Sequence, residues 1–551
     1  MKALTQWNSR RLFLTFLAGT LLGVSFPNIN LAALAWLAPG VILWCVRSNS
    51  GLSVFLAGSV AGLGNYLVSL YWFLLIPFPW HGLAGYLGLS AVMAAFVGGW
   101  SWLCWRLWPA PSRERRVDQS NTDISSEWQA LSLAQRLIWP VLCAAAWVVM
   151  EMTTARLLTG FAWNCLGVSQ CRWLTLIQIA SLGGVYLVSF MVAWLSASLL
   201  CVALSWSTPR HLSPLLVQAL PPILALAGVL AFGAQRLAAA EKPRGQLRIA
   251  LIQPAIPQLA IWDTNERTNR LRKLLELSRA ALAAGPELVV WPETAMPELV
   301  TRNRFTQETI VELLRPYHSW MVLGASDFGP NRGPTNSPEI EWYNGAFLLN
   351  PAGEMAAVYH KRHLVPFGEF MPGARFFPLL GKLRTAGAGL ASGKRDVSFQ
   401  ILEPRARFPI LICYEDVFPH EVRRRVDAEA DLLLNLTNNG WFGESAAQWQ
   451  HAMAALFRAV ELGLPLVRCA NNGLTCWVDT HGRLHDAYFN GSKNIYQAGY
   501  KIVQIPLTGS ESSRHPTLYR RFGDWFGWGC FAIIISAGLN RLARRFRSHG
   551  A

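Results

Sequence analysis

The chain has 551 residues, 52% hydrophobic and only 15% charged, with 25 tryptophans and a formal net charge of +16. That length exceeds one compact domain, and that composition excludes a wholly soluble protein. The basic excess suits Lys and Arg at the cytoplasmic ends of membrane spans. No basic stripe with interleaved aromatics accompanies it, so no nucleic acid partner is expected.

Between Arg11 and Arg47 there is no Asp, Glu, Lys or Arg, and Pro27, Asn28 and Asn30 split that run into spans near 12–26 and 31–46. Between Arg47 and Arg106, Pro77, Pro79 and His81 separate spans near 53–76 and 83–105. Further spans are expected near 137–155, 173–206 and 213–235, and an eighth from Trp525 to Leu539. Each is close to the roughly 20 apolar residues that a bilayer requires, the first two being short. The polar stretch 107–135 reads as a loop.

Lys2, Arg10, Arg11, Arg47, the arginines between 106 and 136, and Arg210 fall in alternate loops, whereas the loops around Asn28 and Pro79 carry no Lys or Arg. This asymmetry predicts cytoplasmic termini. The expected organisation is a seven-helix membrane region over 1–238 and an extracytoplasmic domain over 240–520. A closing helix over 524–540 and a cytoplasmic basic tail over 541–551 follow. One outward segment departs from the apolar pattern. It holds Arg156, Gly160, Phe161, Trp163 and Asn164, with Glu151 close to or inside the membrane, where a carboxyl needs a partner. Cys165 and Cys171 are there too, as a disulfide or a reduced pair. The ten cysteines follow no metal-ligand spacing.

After Glu241 strand and helix signals alternate. Strands are expected at Arg248–Ile252, Leu288–Trp291, Trp320–Gly324, Gly345–Leu349, Ala356–Tyr359, Phe408–Leu411, Leu432–Leu436, Leu466–Cys469, Thr475–Val478 and Lys501–Ile505, and helices at Thr264–Ala284 and Ala446–Leu462. This is an α/β domain of layered sheets with helices outside. Three strand ends carry chemistry. Cys413 follows a buried strand and precedes helix signals at Pro419, Glu293 ends Val289-Val290-Trp291-Pro292-Glu293, and Lys361 lies just past Val358-Tyr359. A carboxylate can take a thiol's proton, an ammonium can neutralise the oxyanion formed on attack at a carbonyl, and the backbone N–H of Tyr414 can assist. A nearby cation also lowers a thiol pKa. A surface Glu–Lys pair beside a buried cysteine is the alternative.

Trp291-Pro292-Glu293-Thr294-Ala295, the run from His360 to Glu369, Ile412-Cys413-Tyr414-Glu415, Asn438 to Gly443, and Asn471-Asn472-Gly473 resemble the nitrilase superfamily. More narrowly they resemble the apolipoprotein N-acyltransferases, bacterial membrane enzymes that add the third acyl chain to lipoproteins, and the resemblance extends over the whole chain. It implies a polytopic α-helical membrane domain of eight transmembrane helices with an α/β nitrilase-like αββα sandwich. It implies Glu293 as general base, Lys361 as oxyanion stabiliser and Cys413 as nucleophile, with Glu369, Tyr414 and Glu415 in support. Trp262, Asn344, Phe367 and Trp441 are expected at substrate or supporting the site. Two positions depart from the family pattern: Asn439 stands where many members carry Asp, and Ala162 where a proline is common.

The implied reaction is ping-pong, without metal or other cofactor. A phospholipid, by family analogy phosphatidylethanolamine, acylates Cys413, and the amine of a diacylglyceryl apolipoprotein takes the chain. A monomer in the bacterial inner membrane is expected. Phe367, Phe370, Met371, Phe376, Phe377, Leu379, Leu380 and Leu383 make 364–391 too apolar for an ordinary solvated loop, as an acyl-chain entrance beside lipid would be. Two rivals are a membrane-tethered amidase, which wants a closed polar pocket, and a transporter, which wants ionisable residues along its spans.

Overall fold

The computed structural model describes residues 9–48, 50–109, 124–206, 213–239, 243–300, 303–330, 340–373, 389–401, 406–489, 491–507 and 516–549. It divides into two compact units, Met1–Ala239 with Arg521–Ala551, and Ala240–Arg520.

The first unit is helical: α1 Ser9–Gly23, α2 Ala38–Cys45, α3 Gly51–Ser69, α4 Pro79–Arg106, α5 Leu133–Thr154, α6 Ala180–Trp206, α7 Ser213–Ala238 and the C-terminal helix Trp525–His549. Among the described residues six helices are long and apolar enough to cross a membrane, namely α3 to α7 and the C-terminal helix. Eight were expected. The first expected span is a helix of only 15 residues, and the second breaks into a tight turn, Ala32–Trp36, and the eight residues of α2. At 1.5 Å per residue these extend about 22 and 12 Å, short of the roughly 30 Å hydrocarbon core. Leu37 leaves regular helical geometry and Pro39 restarts the helix, which an unbroken apolar run conceals. The sixth expected span, 173–206, is likewise interrupted, because Gly183 and Gly184 kink α6.

Small residues set the helix contacts in this unit. A side chain on Gly19 would put its first carbon 1.7 Å from the Ala61 carbonyl oxygen, so α1 and α3 meet backbone to backbone. Glu151 is buried inside α5, and its Oε1 accepts from Trp147 Nε1 and from the Leu166 N–H, both at 2.7 Å. The expected need for a partner is thus met by an indole and a backbone amide. Arg156 pairs with Asp524. Cys165 and Cys171 are buried free thiols. Trp163 packs on Trp72, ring centroids 5.3 Å apart, and Ala162 beside it is buried.

The second unit has twelve described strands in two six-stranded sheets. The first sheet runs β12-β1-β2-β3-β4-β5 and the second β11-β10-β9-β8-β7-β6. The strands are β1 Gly245–Gln253, β2 Leu288–Val290, β3 Trp320–Pro330, β4 Ile340–Leu349, β5 Met355–His360, β6 Ser398–Ile401, β7 Ala406–Ile412, β8 Leu433–Thr437, β9 Leu466–Ala470, β10 Cys476–Val478, β11 Leu484–His485 and β12 Gly499–Leu507. Each sheet is mixed. β1-β2-β3 and β7-β8-β9 are parallel, flanked by antiparallel strands.

Both inner faces share one apolar core, including Ile249, Val290 and Leu348 of the first sheet and Phe408, Ile410 and Leu434 of the second. On the outer face of the first sheet, α8 Arg267–Leu282 and α9 Arg304–Leu314 bury Leu274, Leu282, Ile310 and Leu314 against Val289, Met321 and Phe347. The second sheet carries α10 Pro419–Arg425 and α11 Ala446–Leu462, the latter buried along almost its whole length. The layers are therefore α/β/β/α. Strands buried on both faces read as continuous apolar runs, which is why they were legible.

Candidate active site

Glu293, Lys361 and Cys413 converge. In the parallel part of each sheet the strands share a direction, so their carboxyl ends open on one edge. β7 ends at Ile412, and Cys413 begins a tight turn, Cys413–Val417, with φ +54°. That left-handed geometry costs a non-glycine residue about 1–3 kcal/mol and persists only where the surroundings enforce it. Ile412 pairs with Leu436 of β8, which sets Cys413 beside Thr437. Glu293 follows β2 through a turn pressed against Gly324, where a side chain would put its first carbon 2.4 Å from the Pro292 carbonyl oxygen. Lys361 follows β5, and its N–H donates to Asn344 O at 2.8 Å.

The polar contacts form one continuous set. Glu293 Oε1 accepts from Asn344 Nδ2 at 2.8 Å and from Lys361 Nζ at 3.3 Å, while its Oε2 accepts from the Asn438 N–H at 2.8 Å. The Cys413 thiol hydrogen-bonds with Glu293 and with Thr437. Lys361 Nζ is 2.7 Å from Glu369 Oε1, and Glu369 Oε2 accepts from the Val365 N–H at 2.8 Å. Asn344 Nδ2 also reaches Glu369 Oε1 at 3.3 Å, tying the two carboxylates together.

Burial and charge set the protonation states. Burial alone would depress the Lys361 pKa, but Glu369 and Glu293 outweigh it and hold the ammonium charged. Burial pushes the Glu293 carboxyl above the usual carboxylate range, with Lys361 opposing and Glu369 adding to the rise. Burial, with the Glu293 charge beside it, pushes the Cys413 thiol up to about 12, and Lys361 only partly offsets this. Lys361 thus lowers the thiol pKa as expected, but burial and Glu293 outweigh it and the net direction is upward.

Glu415 does more than flank Cys413. It is fully buried, accepts from the Ile412 N–H at 2.8 Å, the Arg362 N–H at 2.9 Å, the His363 N–H at 3.0 Å and Tyr359 Oη at 2.9 Å, and pairs with Arg425 Nη1 at 2.8 Å. It thereby joins the Cys413 elbow to the segment after Lys361. Tyr414 is buried, its ring edge-on to Phe418 at 4.8 Å. Phe367 is 62% exposed with φ +63°. Trp441 is half-buried in the turn Asn439–Phe442. Trp262 closes the short helix Gln258–Trp262, and its side chain lies outside the described residues. Of the apolar segment 364–391, residues 374–388, with Phe376, Phe377, Leu379, Leu380 and Leu383, lie outside them too.

Thr437, Asn438 and Asn435, whose Nδ2 donates to Cys413 O at 3.0 Å, were given no role from sequence. The Asn438–Gly443 motif was a signal for Asn438 alone. Asn344 makes a charged hydrogen bond of the kind worth about 1.5–3 kcal/mol. Asn344→Ala is expected to slow iodoacetamide alkylation of Cys413 about tenfold or more, read by peptide mass spectrometry, and an unchanged rate would remove Asn344 from the site.

Residues 18–198 match the family model for the apolipoprotein N-acyltransferase N-terminal domain, and residues 248–498 match the carbon-nitrogen hydrolase model. The chain is 33% identical to an apolipoprotein N-acyltransferase of Geobacter metallireducens over 95% of its own length and 94% of that protein. It is 26% identical to the one from Allorhizobium ampelinum over 96% and 95%, and 28% identical to the one from Rhodopseudomonas palustris over 94% and 92%.

Proposed function

The chain belongs to the apolipoprotein N-acyltransferase family and is an acyltransferase with a carbon-nitrogen hydrolase catalytic domain, and from that premise we propose that it works by ping-pong through a Cys413 thioester. The acyl chain comes from a membrane phospholipid, phosphatidylethanolamine in our reading, and goes to the α-amine of an S-diacylglyceryl-cysteine at the start of an apolipoprotein. The observation that supports this most directly is the convergence of the Cys413 thiol on the buried Glu293 carboxyl, with Lys361 Nζ 3.3 Å from Glu293 Oε1.

In the first half-reaction Glu293 takes the thiol proton, and sulfur bonds to the ester carbonyl carbon. The oxyanion is stabilised by the Lys361 ammonium and the Tyr414 N–H. The ester C–O bond then breaks, Glu293 returns the proton to the leaving oxygen, and a lysophospholipid departs. In the second, the neutral fraction of an α-amine of pKa near 8 attacks the thioester. Glu293 takes the amine proton, the C–S bond breaks, and sulfur regains a proton. Glu369 keeps Lys361 charged and placed, and Asn344 keeps Glu293 placed. Phe367, Trp441 and Trp262 contact substrate in this reading. The catalytic domain faces the periplasm from the inner membrane, both termini are cytoplasmic, and the working unit is a monomer. Exclusion of water by lipid favours aminolysis over hydrolysis.

Intact-protein mass spectrometry after incubation with phosphatidylethanolamine tests the scheme. A fatty-acyl adduct on Cys413 that hydroxylamine removes and a diacylated lipopeptide discharges is expected, with none on Cys413→Ala. An adduct that water discharges as fast would favour a hydrolase. Transfer without any adduct would end the thioester scheme.

A further inference from the structure

Outside the set of groups assigned above, one buried titratable side chain touches both loops that carry the chemistry. His451 lies on α11 and is 2% exposed. Its Nε2 is 2.8 Å from Asp416 Oδ1, and its Nδ1 is 3.0 Å from Asn439 Oδ1. Asp416 stands three residues after the nucleophile in the same tight turn, and its other oxygen pairs with Arg468 of β9, itself buried. Asn439 follows Asn438, whose N–H holds Glu293, and lies two residues after Thr437, which touches the thiol. One helical turn earlier, Gln448 donates to Asn439 O at 3.0 Å and Gly443 O at 3.1 Å, so α11 grips the second loop twice.

We infer that His451 is a positioning residue, a clamp that fixes the loop bearing Cys413 against the loop that holds Glu293. The chemistry of the ring fits that role. Asp416 is acceptor-only when ionised, so Nε2 carries the hydrogen. A neutral ring then accepts at Nδ1, and Asn439 meets that need by turning its Nδ2, otherwise without a partner, toward the ring. Arg468 already balances Asp416, so the ring has no call to be charged. Burial, with Arg468 nearby, keeps its pKa below the ordinary histidine value. Asp416 and Asn439 thus tie the ring to two different loops, and a backbone hydrogen bond with Cys413 adds to the hold on the first.

The consequence is geometric. The elbow at Cys413 is strained at φ +54° and needs external restraint. Proton transfer from a thiol with a pKa of about 12 to Glu293 depends on their hydrogen bond. A displacement of about 1 Å in such an arrangement costs on the order of 100-fold in rate.

This inference rests on the roles proposed for Cys413 and Glu293, so its test reads the thiol separately from acyl transfer. The full-length protein in nanodiscs would be compared with His451→Ala and His451→Gln. Three quantities would be followed: Cys413 alkylation by iodoacetamide from pH 6 to 9, acylation by phosphatidylethanolamine, and the melting temperature. We expect His451→Ala to slow alkylation and acylation together by about 10–100-fold with little change in KM for the phospholipid. His451→Gln, whose amide reaches Asp416 but not Asn439, should recover part of the loss. If His451→Ala does not fold, His451→Gln alone carries the test through its intermediate alkylation rate. Wild-type alkylation and acylation rates in the folded variants, with only the melting temperature lowered, would overturn the clamp and leave a merely structural histidine. Histidine-dependent alkylation in a protein that forms no acyl adduct would support the clamp while sinking the acyl-transfer reading.

Discussion

Glu293→Gln is expected to slow acylation of Cys413 by about 10²–10⁴-fold at pH 7.5. With the thiol pushed up to about 12, the thiolate is scarce at that pH. Catalysis must therefore take the proton during attack, and Glu293 is the carboxylate in hydrogen-bonding contact with it. Removing its charge also removes one cause of the raised thiol pKa, which draws the loss back from the upper end. The pH profile separates these effects. In the wild type the rate should fall as pH drops through the Glu293 pKa, which lies above the ordinary carboxylate value, because the protonated carboxyl cannot accept the thiol proton. In Glu293→Gln the pre-ionised thiolate is the reactive form, so the rate should climb about tenfold per pH unit between 7 and 9. Single-turnover acylation followed by intact mass reads both. A variant with wild-type rate and profile would leave the thiol without a base and force a different proton acceptor.

What the sequence disclosed and concealed follows from the physics of each residue. Cys413 and Glu293 were legible because each follows a buried apolar run, whereas Lys361 follows the partly exposed edge strand β5 and was legible from its motif. Their convergence came from motif resemblance, since strand order is not written in any one run. Thr437, Asn438 and Asp416 acquire their positions from the parallel pairing of β7 with β8, and His451 from the way α11 lies across both loops. No periodicity marks a polar residue that is buried by tertiary packing. The electrostatics of the thiol were only half visible for the same reason. The lysine was visible, whereas the desolvation that outweighs it was not. In the membrane unit, hydropathy found the apolar runs but could not see that Leu37 interrupts one of them.

Glu415 gives the largest expected loss of stability. Glu415→Leu would leave the Tyr359 hydroxyl and three backbone N–H groups without this acceptor, and the buried Arg425 guanidinium with only its longer contacts to Asp396 at 3.5 Å and Glu421 at 4.0 Å. Breaking a buried ion pair from one side costs about 3–5 kcal/mol, a large share of the 5–15 kcal/mol that typically holds a domain. Glu415→Gln, which keeps the shape and loses the charge, should cost less but remain clearly destabilising. The sign with pH follows from the carboxyl itself. Burial alone would raise its pKa, yet Arg425 and the converging N–H donors outweigh burial and hold it below the ordinary value. Its stabilisation is therefore complete above the unfolded carboxylate pKa of about 4.3 and is lost as pH falls through the lower folded value. Denaturant unfolding of the detergent-solubilised protein at pH 7 and at pH 3.5 measures both effects. A double-mutant cycle with Arg425→Leu supplies the decisive comparison: removing both partners should cost less than the sum of the two single losses, because no unpaired charge remains buried. Strict additivity would mean that Glu415 and Arg425 are not energetically coupled. The carboxylate would then have to act through the backbone amides alone, holding the Cys413 elbow without help from the guanidinium.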